Sequence, residues 1–185
     1  ASAIVFSRVA ELVLSSMFKD EKTGILYREE TFDNWIVRES RCYFPLGLTA
    51  TDVVLDIGGH IGAFAARARL ECAEAQIVSV EAEKTNFEVL QQNAQLFGFE
   101  AQFYAVVGDE SHGAELTLYV NTRKNNATHT MLPTRGRPGQ PVTGYGLVAM
   151  CEALRPTVIK VDIEGAEYDL PWATVIPQVK PRLVV

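Results

Sequence analysis

The chain has no basic block. Its 185 residues carry 17 Lys and Arg against 23 Asp and Glu, a formal net charge of −6. Sequence-independent binding to a polynucleotide relies on clustered Lys and Arg, so a nucleic-acid partner is disfavoured. Long apolar runs are also missing; none approaches the roughly 20 residues of a membrane span, and no signal peptide is visible. Cysteine is scarce. Cys42, Cys72 and Cys151 are odd in number, widely spaced and match no zinc pattern. They read as free thiols in a reducing cytoplasm, with no metal site. Two nucleotide-binding signatures are absent too. Nothing resembles a phosphate loop ending in Gly-Lys-Ser/Thr. A G-x-G-x-x-G reading from Gly58 fails at His60 and Ala63.

What is present is ordinary in bulk and specific in places. An apolar fraction of 48% with 22% charged residues fits one globular domain with a substantial core. We divide it into a cap region at 1–50, holding an N-terminal helix, and a core at 51–185. The most informative stretch is Val53-Val54-Leu55-Asp56-Ile57-Gly58-Gly59-His60-Ile61-Gly62-Ala63-Phe64. A run of β-branched and large apolar residues reads as a buried parallel strand. It stops at an acid and two glycines, then opens into an Ala-rich helix. A turn beyond the carboxyl end of such a strand is where open α/β sheets bind ligands. Glycine lets backbone approach a ligand with no Cβ in the way. Asp56 is positioned by this reading to accept hydrogen bonds from a cationic or hydroxylated ligand. The spacing Asp-x-Gly-x-x-x-Gly suits a nucleoside with a cationic amino-acid tail better than a dinucleotide.

A second strand, Gln76 to Glu81, also ends in an acid. Glu81 lies 19 residues past Gly62, where Rossmann-like folds hold a carboxylate against ribose hydroxyls. Lys84-Thr85-Asn86 opens a helix with Phe87, Leu90, Ala94 and Phe97 at helical spacing and Gly98 as its C′ residue. Gln102 to Val107 reads as a third strand and Glu115 to Asn121 as a strand with one wet face. Residues 156–165 contain a fourth strand, in which Lys160 and Asp162 interrupt an otherwise apolar pattern. A buried charge needs a partner, so they pair with each other or with nearby acids. Local rules fail most often at functional sites, which makes Lys160 and Asp162 candidates for catalysis.

These motifs, Asp56 to Gly62, Glu81 and Lys160-Val161-Asp162-Ile163-Glu164-Gly165-Ala166-Glu167, resemble those of the FkbM family of S-adenosylmethionine-dependent methyltransferases. The likeness runs from about Thr31 to Val185. It implies an α/β fold: a Rossmann-like, doubly wound, mostly parallel sheet with helices on both faces. It implies S-adenosyl-L-methionine as cofactor, held by Asp56, Gly58, Gly59, His60, Gly62, Glu81 and Ala82. Carried over from class I methyltransferases, Val107 and Asp109 would flank the adenine. It further implies an acceptor hydroxyl on a small molecule or glycan. His60 departs from the family, which commonly has a small or amide residue there. Residues 181–185 read as a fifth strand in mid-course; class I methyltransferases normally add two more strands, an antiparallel hairpin, so either the C-terminal strands are truncated at Val185 or another element covers that edge.

The remaining expectations concern the acceptor side. Residues 3–18 show helical spacing, Lys19 to Gly24 a polar turn, and 25–45 an irregular or short-stranded region in which Trp35 is packing rather than a platform. Residues 122–146 read as one long loop, the candidate acceptor region or lid. It holds His129, a candidate general base, and Arg123, Lys124, Arg135 and Arg137, which either receive an anionic acceptor or solvate the loop. The candidate catalytic set is thus Asp162, Glu164, Lys160 and His129. Two alternatives stand beside it: a nicotinamide-dependent Rossmann oxidoreductase, and a non-catalytic domain that only binds S-adenosylmethionine.

Overall fold

In a computed structural model, residues 17–121 and 126–185 are described. Most of the helix expected over 3–18 therefore lies outside the described residues. Its last two positions, Met17 and Phe18, belong instead to strand β1 (Met17–Lys19), which pairs antiparallel with β2 (Leu26–Arg28) around the expected turn. The region expected to be irregular contains helix α1 (Asp33–Glu39) and a 3-10 turn over Ser40–Tyr43. Helix α1 turns Val37 into a cluster with Ile25, Ile61 and Ala66. The opposite face is left to solvent, so Trp35 is 48% exposed. That corrects the expectation of a buried tryptophan.

The core alternates strand and helix. Strand β3 (Val53–Ile57), helix α2 (Ala63–Glu71), strand β4 (Gln76–Glu81), helix α3 (Lys84–Phe97) and strand β5 (Glu100–Phe103) come first. Helix α3 has the ends its sequence asks for. Glu83 accepts from the Asn86 backbone N–H at 2.7 Å at the start, and Gly98 takes φ +77° at the end; an oxygen cap and a left-handed glycine are the favoured solutions.

After β5 the chain departs from expectation. The strand expected over 102–107 breaks at Tyr104, whose N–H donates back to Glu81 O at 3.2 Å. Strand β6 (Ala105–Val107) then leaves the main sheet. It pairs parallel with β8 (Gly139–Gly146), which pairs antiparallel with β7 (Glu115–Tyr119). The later part of the expected 122–146 loop is thus a strand. Its Pro141 is tolerated because β6 reaches only residues 144–146, leaving β8 an edge strand at the proline. Helix α4 (Leu147–Leu154), strand β9 (Val158–Val161), helix α5 (Trp172–Val179) and strand β10 (Leu183–Val184) complete the chain.

The main sheet is all-parallel, in the order β10-β9-β3-β4-β5. Alternation sorts its side chains. Val54, Ile77 and Val158 pack towards Phe64, Ala65 and Ala68 of α2. Leu55, Ile57, Val78, Val80 and Ile159 pack towards Leu147, Met150 and Val175 of α4 and α5. Both faces are covered, which explains why the interiors of β3 and β4 are apolar apart from the paired Asp56 and Ser79. The connection order reverses between β3 and β9. That is the switch point at which such sheets open a crevice.

Candidate functional site

The glycine turn is built into the protein before it can serve any ligand. Gly58 has φ +74°, and a Cβ there would collide with the carbonyl oxygen of Asp162. A Cβ on Gly59 would collide with Ser79 Oγ. Both N–H groups donate to Val80 O, at 3.0 and 2.9 Å. The glycines therefore let the turn lie against β4 and the end of β9. Gly62 (φ +80°) opens α2 with Phe99 close by. Between them His60 holds φ +52°, a left-handed conformation unusual for a side chain with a Cβ.

The structure places Asp56 differently from the expectation. Asp56 stands in register with Ser79 on one side and Lys160 on the other. It is fully buried. Ser79 Oγ donates to its Oδ2 at 2.7 Å, and Lys160 Nζ lies 3.2 Å from its Oδ1. As a strand residue facing α2, it is sealed under the turn rather than turned to the crevice. Lys160 pairs with Asp56 rather than Asp162, and donates to Gly58 O at 2.6 Å. Both residues brace the glycine turn from beneath, and neither lines the cavity.

Above the turn, the carboxyl edge opens into a cavity of about 300 Å³. Its floor is Ile57, Gly58 and Val80, and its walls include His60, Glu81, Ala82 and Asn86. Glu81 is 8% exposed. Its Oε2 accepts from the His60 backbone N–H at 2.8 Å and its Oε1 from the Glu83 N–H at 2.7 Å. Burial outweighs these bonds and pushes its carboxyl up to about 7. His60 is buried beside it, and desolvation brings its imidazole down to about 4 despite the pull of Asp33. The ring is therefore neutral at pH 7. Its Nε2 faces the Asn126 carbonyl oxygen at 3.2 Å and must donate there.

Three further pieces of chain close the cavity. Helix α1 supplies Trp35, Ile36 and Glu39, with Phe32 just before it; residues 127–131 supply His129 and Met131; the turn after β9 supplies Asp162, Ile163, Glu164 and Ala166. Ala105 and Leu118 from the small sheet make an apolar end. His129 Nδ1 accepts from the Asn121 N–H at 3.1 Å, which puts the proton of a neutral ring on Nε2. Burial lowers the pKa of this ring.

Asp162 and Glu164 stand exposed at the cavity rim. Asp162 is held by its backbone N–H donating to Ile57 O at 3.0 Å. Burial, then the charges of Asp162 and Glu167, raises the Glu164 carboxyl. Glu39 is raised by burial and then Asp162. Glu167 accepts from the Ile163 and Gly165 N–H groups at 2.7 Å each, so it holds the turn itself. Val107 and Asp109 do not line the cavity; the chain leaves the main sheet after Phe103, and its lining residues there are Tyr104, Ala105 and Val106. Asp109 instead accepts from Val148 and Ala149 N–H at the start of α4.

Sequence reasoning missed a polar network under the cavity. Asp33, Asn86 and Asn126 are buried, and Arg28 joins them. A loop Asn and an Asp in a supposedly irregular region carry no periodic signal. Only their joint burial identifies them.

A parallel sheet with a glycine turn, a strand-end carboxylate and a crevice at the switch point defines a Rossmann-like α/β protein. Residues 56–184 match the family described as "Methyltransferase FkbM domain", and the chain belongs to that family. No curated protein matches it. Among solved structures, P. horikoshii TYW2 in complex with MeSAdo aligns at 16% identity with a TM-score of 0.34, covering 49% of this chain and 36% of that one. A protein-L-isoaspartate O-methyltransferase aligns at 16% identity with a TM-score of 0.28, covering 69% and 45%. The chain thus spans less than half the length of either. At such scores the likeness carries no argument, and the family match stands on its own. No described helix is long and apolar enough to cross a membrane, and no described cluster of His, Cys, Asp and Glu could hold a metal ion. The three cysteines are free thiols.

Proposed function

We propose that the chain binds S-adenosylmethionine in this cavity and methylates a hydroxyl oxygen on a small molecule or glycan. One observation carries the reading: Glu81 stands in the cavity wall at the end of β4, each carboxylate oxygen oriented by a backbone N–H. A carboxylate oxygen accepts more than one hydrogen bond, so Glu81 retains capacity for ribose hydroxyls. The rest of the lining fits the group. Ala82, Ala105, Leu118 and Met131 offer an apolar end for a purine. Glu39 offers negative charge for a cationic tail. The cavity lies at the low end of the usual range for ligand pockets.

S-adenosylmethionine supplies an electrophilic methyl group when bound. The protein's share is to orient, to exclude water and to manage one proton. Its main lever is holding the two reactants in near-attack geometry. Asp162, at the open end, is the group assigned to orient the acceptor hydroxyl and take its proton, with Glu164 beside it. His129 suits orientation better than proton abstraction. Its Nδ1 lone pair is engaged by Asn121, and its neutral Nε2 carries a proton. Lys160 acts only through the turn it braces.

The test is a transfer assay with methyl-labelled donor and a panel of hydroxyl-bearing small molecules and oligosaccharides. Label recovered as an ether supports the reading. Label recovered only on nitrogen or carbon contradicts its acceptor class. Hydride transfer from a nicotinamide cofactor contradicts it altogether.

A further inference from the structure

We propose that Asn126 is a positioning residue that couples the nucleoside end of the cavity to helix α1, the wall bearing Trp35 and Glu39. The inference rests on the cofactor reading above. Asn126 is 8% exposed although it lies in a loop. Its amide orientation is fixed by chemistry, since Asp33 can only accept and a backbone N–H can only donate. Its Nδ2 donates to Asp33 Oδ1 at 2.8 Å and to Asn86 Oδ1 at 3.1 Å. Its Oδ1 accepts from the Phe32 N–H at 3.1 Å, one residue before α1. Its backbone carbonyl accepts from Asn86 Nδ2 at 3.0 Å and faces His60 Nε2 at 3.2 Å.

Those partners belong to different elements that meet at the cavity wall. Asn86 opens α3 just after Glu81, and the backbone N–H of His60 holds Glu81 itself. Phe32 and Asp33 begin α1, which is only seven residues long and has no side-chain cap of its own. A helix that short is marginal without tertiary support. Buried Val37 and the Arg28–Asp33 pair provide part of it, and Asn126 adds a second link beside Arg28 from Asn86 on the nucleoside side. The same residue begins the segment that carries His129 and Met131 over the cavity. A ligand that tightens Glu81, His60 and Asn86 therefore also fixes α1.

The test is hydrogen–deuterium exchange with and without saturating S-adenosylhomocysteine, with affinity measured by calorimetry. In the wild type, ligand should protect the amides of residues 58–62 and 81–86, and also those of 33–39. In Asn126→Ala, protection of 58–62 should persist while protection of 33–39 is lost. Affinity should fall about tenfold, the scale of one buried hydrogen-bonding group left unpaired. Asn126→Asp keeps the bond from Phe32 and sets a charge against Asp33, so it should lose the coupling too. Because Trp35 and Glu39 also line the cavity, wild-type protection of 33–39 supports the coupling only where it depends on Asn126, and failure of both variants to fold overturns the positioning role in favour of a structural one. Protection confined to 58–62 and 81–86 in the wild type overturns the coupling and leaves the cofactor reading intact. So does undiminished protection of 33–39 in a folded Asn126→Ala. No binding at all by the wild type overturns both.

Discussion

Lys160 and Asp56 form a buried ion pair across adjacent strands, Nζ 3.2 Å from Oδ1, and the same ammonium donates to Gly58 O at 2.6 Å. The two charged residues that most conspicuously break the apolar pattern of the sheet thus meet each other beneath the glycine turn. Their arrangement explains why a lysine is tolerated in a central strand: its charge is neutralised and its protons are used.

Removing one partner leaves the other charge buried alone, so Lys160→Met should cost about 3–5 kcal/mol in denaturant unfolding. Burial by itself would lower the lysine pKa, but Asp56 and then Asp162 outweigh it, and the pKa is raised. A raised lysine contributes stability that is fully present below its unfolded value of roughly 10.4 and is lost only as pH rises through the folded value. The wild-type pair should therefore contribute equally at pH 6 and pH 9. A loss on Lys160→Met of less than about 1 kcal/mol at pH 9 would contradict the buried pair.

Asp162 is free of that pair, which separates catalysis from folding. Asp162→Asn should shift stability by no more than about 0.5 kcal/mol, as for other exposed sites. It should lower methyl transfer by about 10²-fold or more while S-adenosylhomocysteine affinity is largely kept. Wild-type turnover in the folded variant removes Asp162 from the mechanism.

Glu81 should make cofactor binding pH-dependent. Burial holds its carboxyl up at about 7, whereas ribose hydroxyls favour the ionised form. Affinity for S-adenosylhomocysteine should improve about tenfold from pH 6 to pH 8 and then level off. Glu81→Gln should bind more weakly by roughly 1.5–3 kcal/mol, the scale of charge-assisted bonds, and its affinity should be flat over the same range. Calorimetric titrations at the two pH values check both.

Without ligand, Glu81 and His60 oppose each other. A carboxyl raised to about 7 makes the fold more stable as pH falls from 7 towards its unfolded value of roughly 4.3. A histidine lowered to about 4 makes the fold less stable as pH falls from roughly 6.5, because only the unfolded chain takes up the proton. Glu81→Gln removes the first effect and exposes the second. Its melting temperature should drop between pH 6.5 and pH 5 more steeply than that of the wild type.

The sequence showed strands β3, β4, β7 and β9, the glycine turn and the place of Glu81 at the end of β4 because each is written in a short local pattern. It could not show which way Asp56 faces, since alternation fixes two faces but not which is covered by helix and which opens to a crevice. Pro141 and the glycines of β8 read as loop, and only pairing with β6 and β7 makes them a strand. Tyr104 gives no warning that the chain leaves the main sheet there, and Val107 and Asp109 do not line the cavity. Arg28, Asp33, Asn86 and Asn126 are scattered over nearly a hundred positions. Nothing local marks them as one network.

If the cavity beside Glu81 receives an S-adenosyl nucleoside, thermal unfolding with competing ligands will show it. S-adenosylhomocysteine at about 100 times its dissociation constant should add roughly 2.7 kcal/mol of stability, while NAD at the same concentration should leave the melt unchanged. Stabilisation by NAD, with none from S-adenosylhomocysteine, would contradict the account.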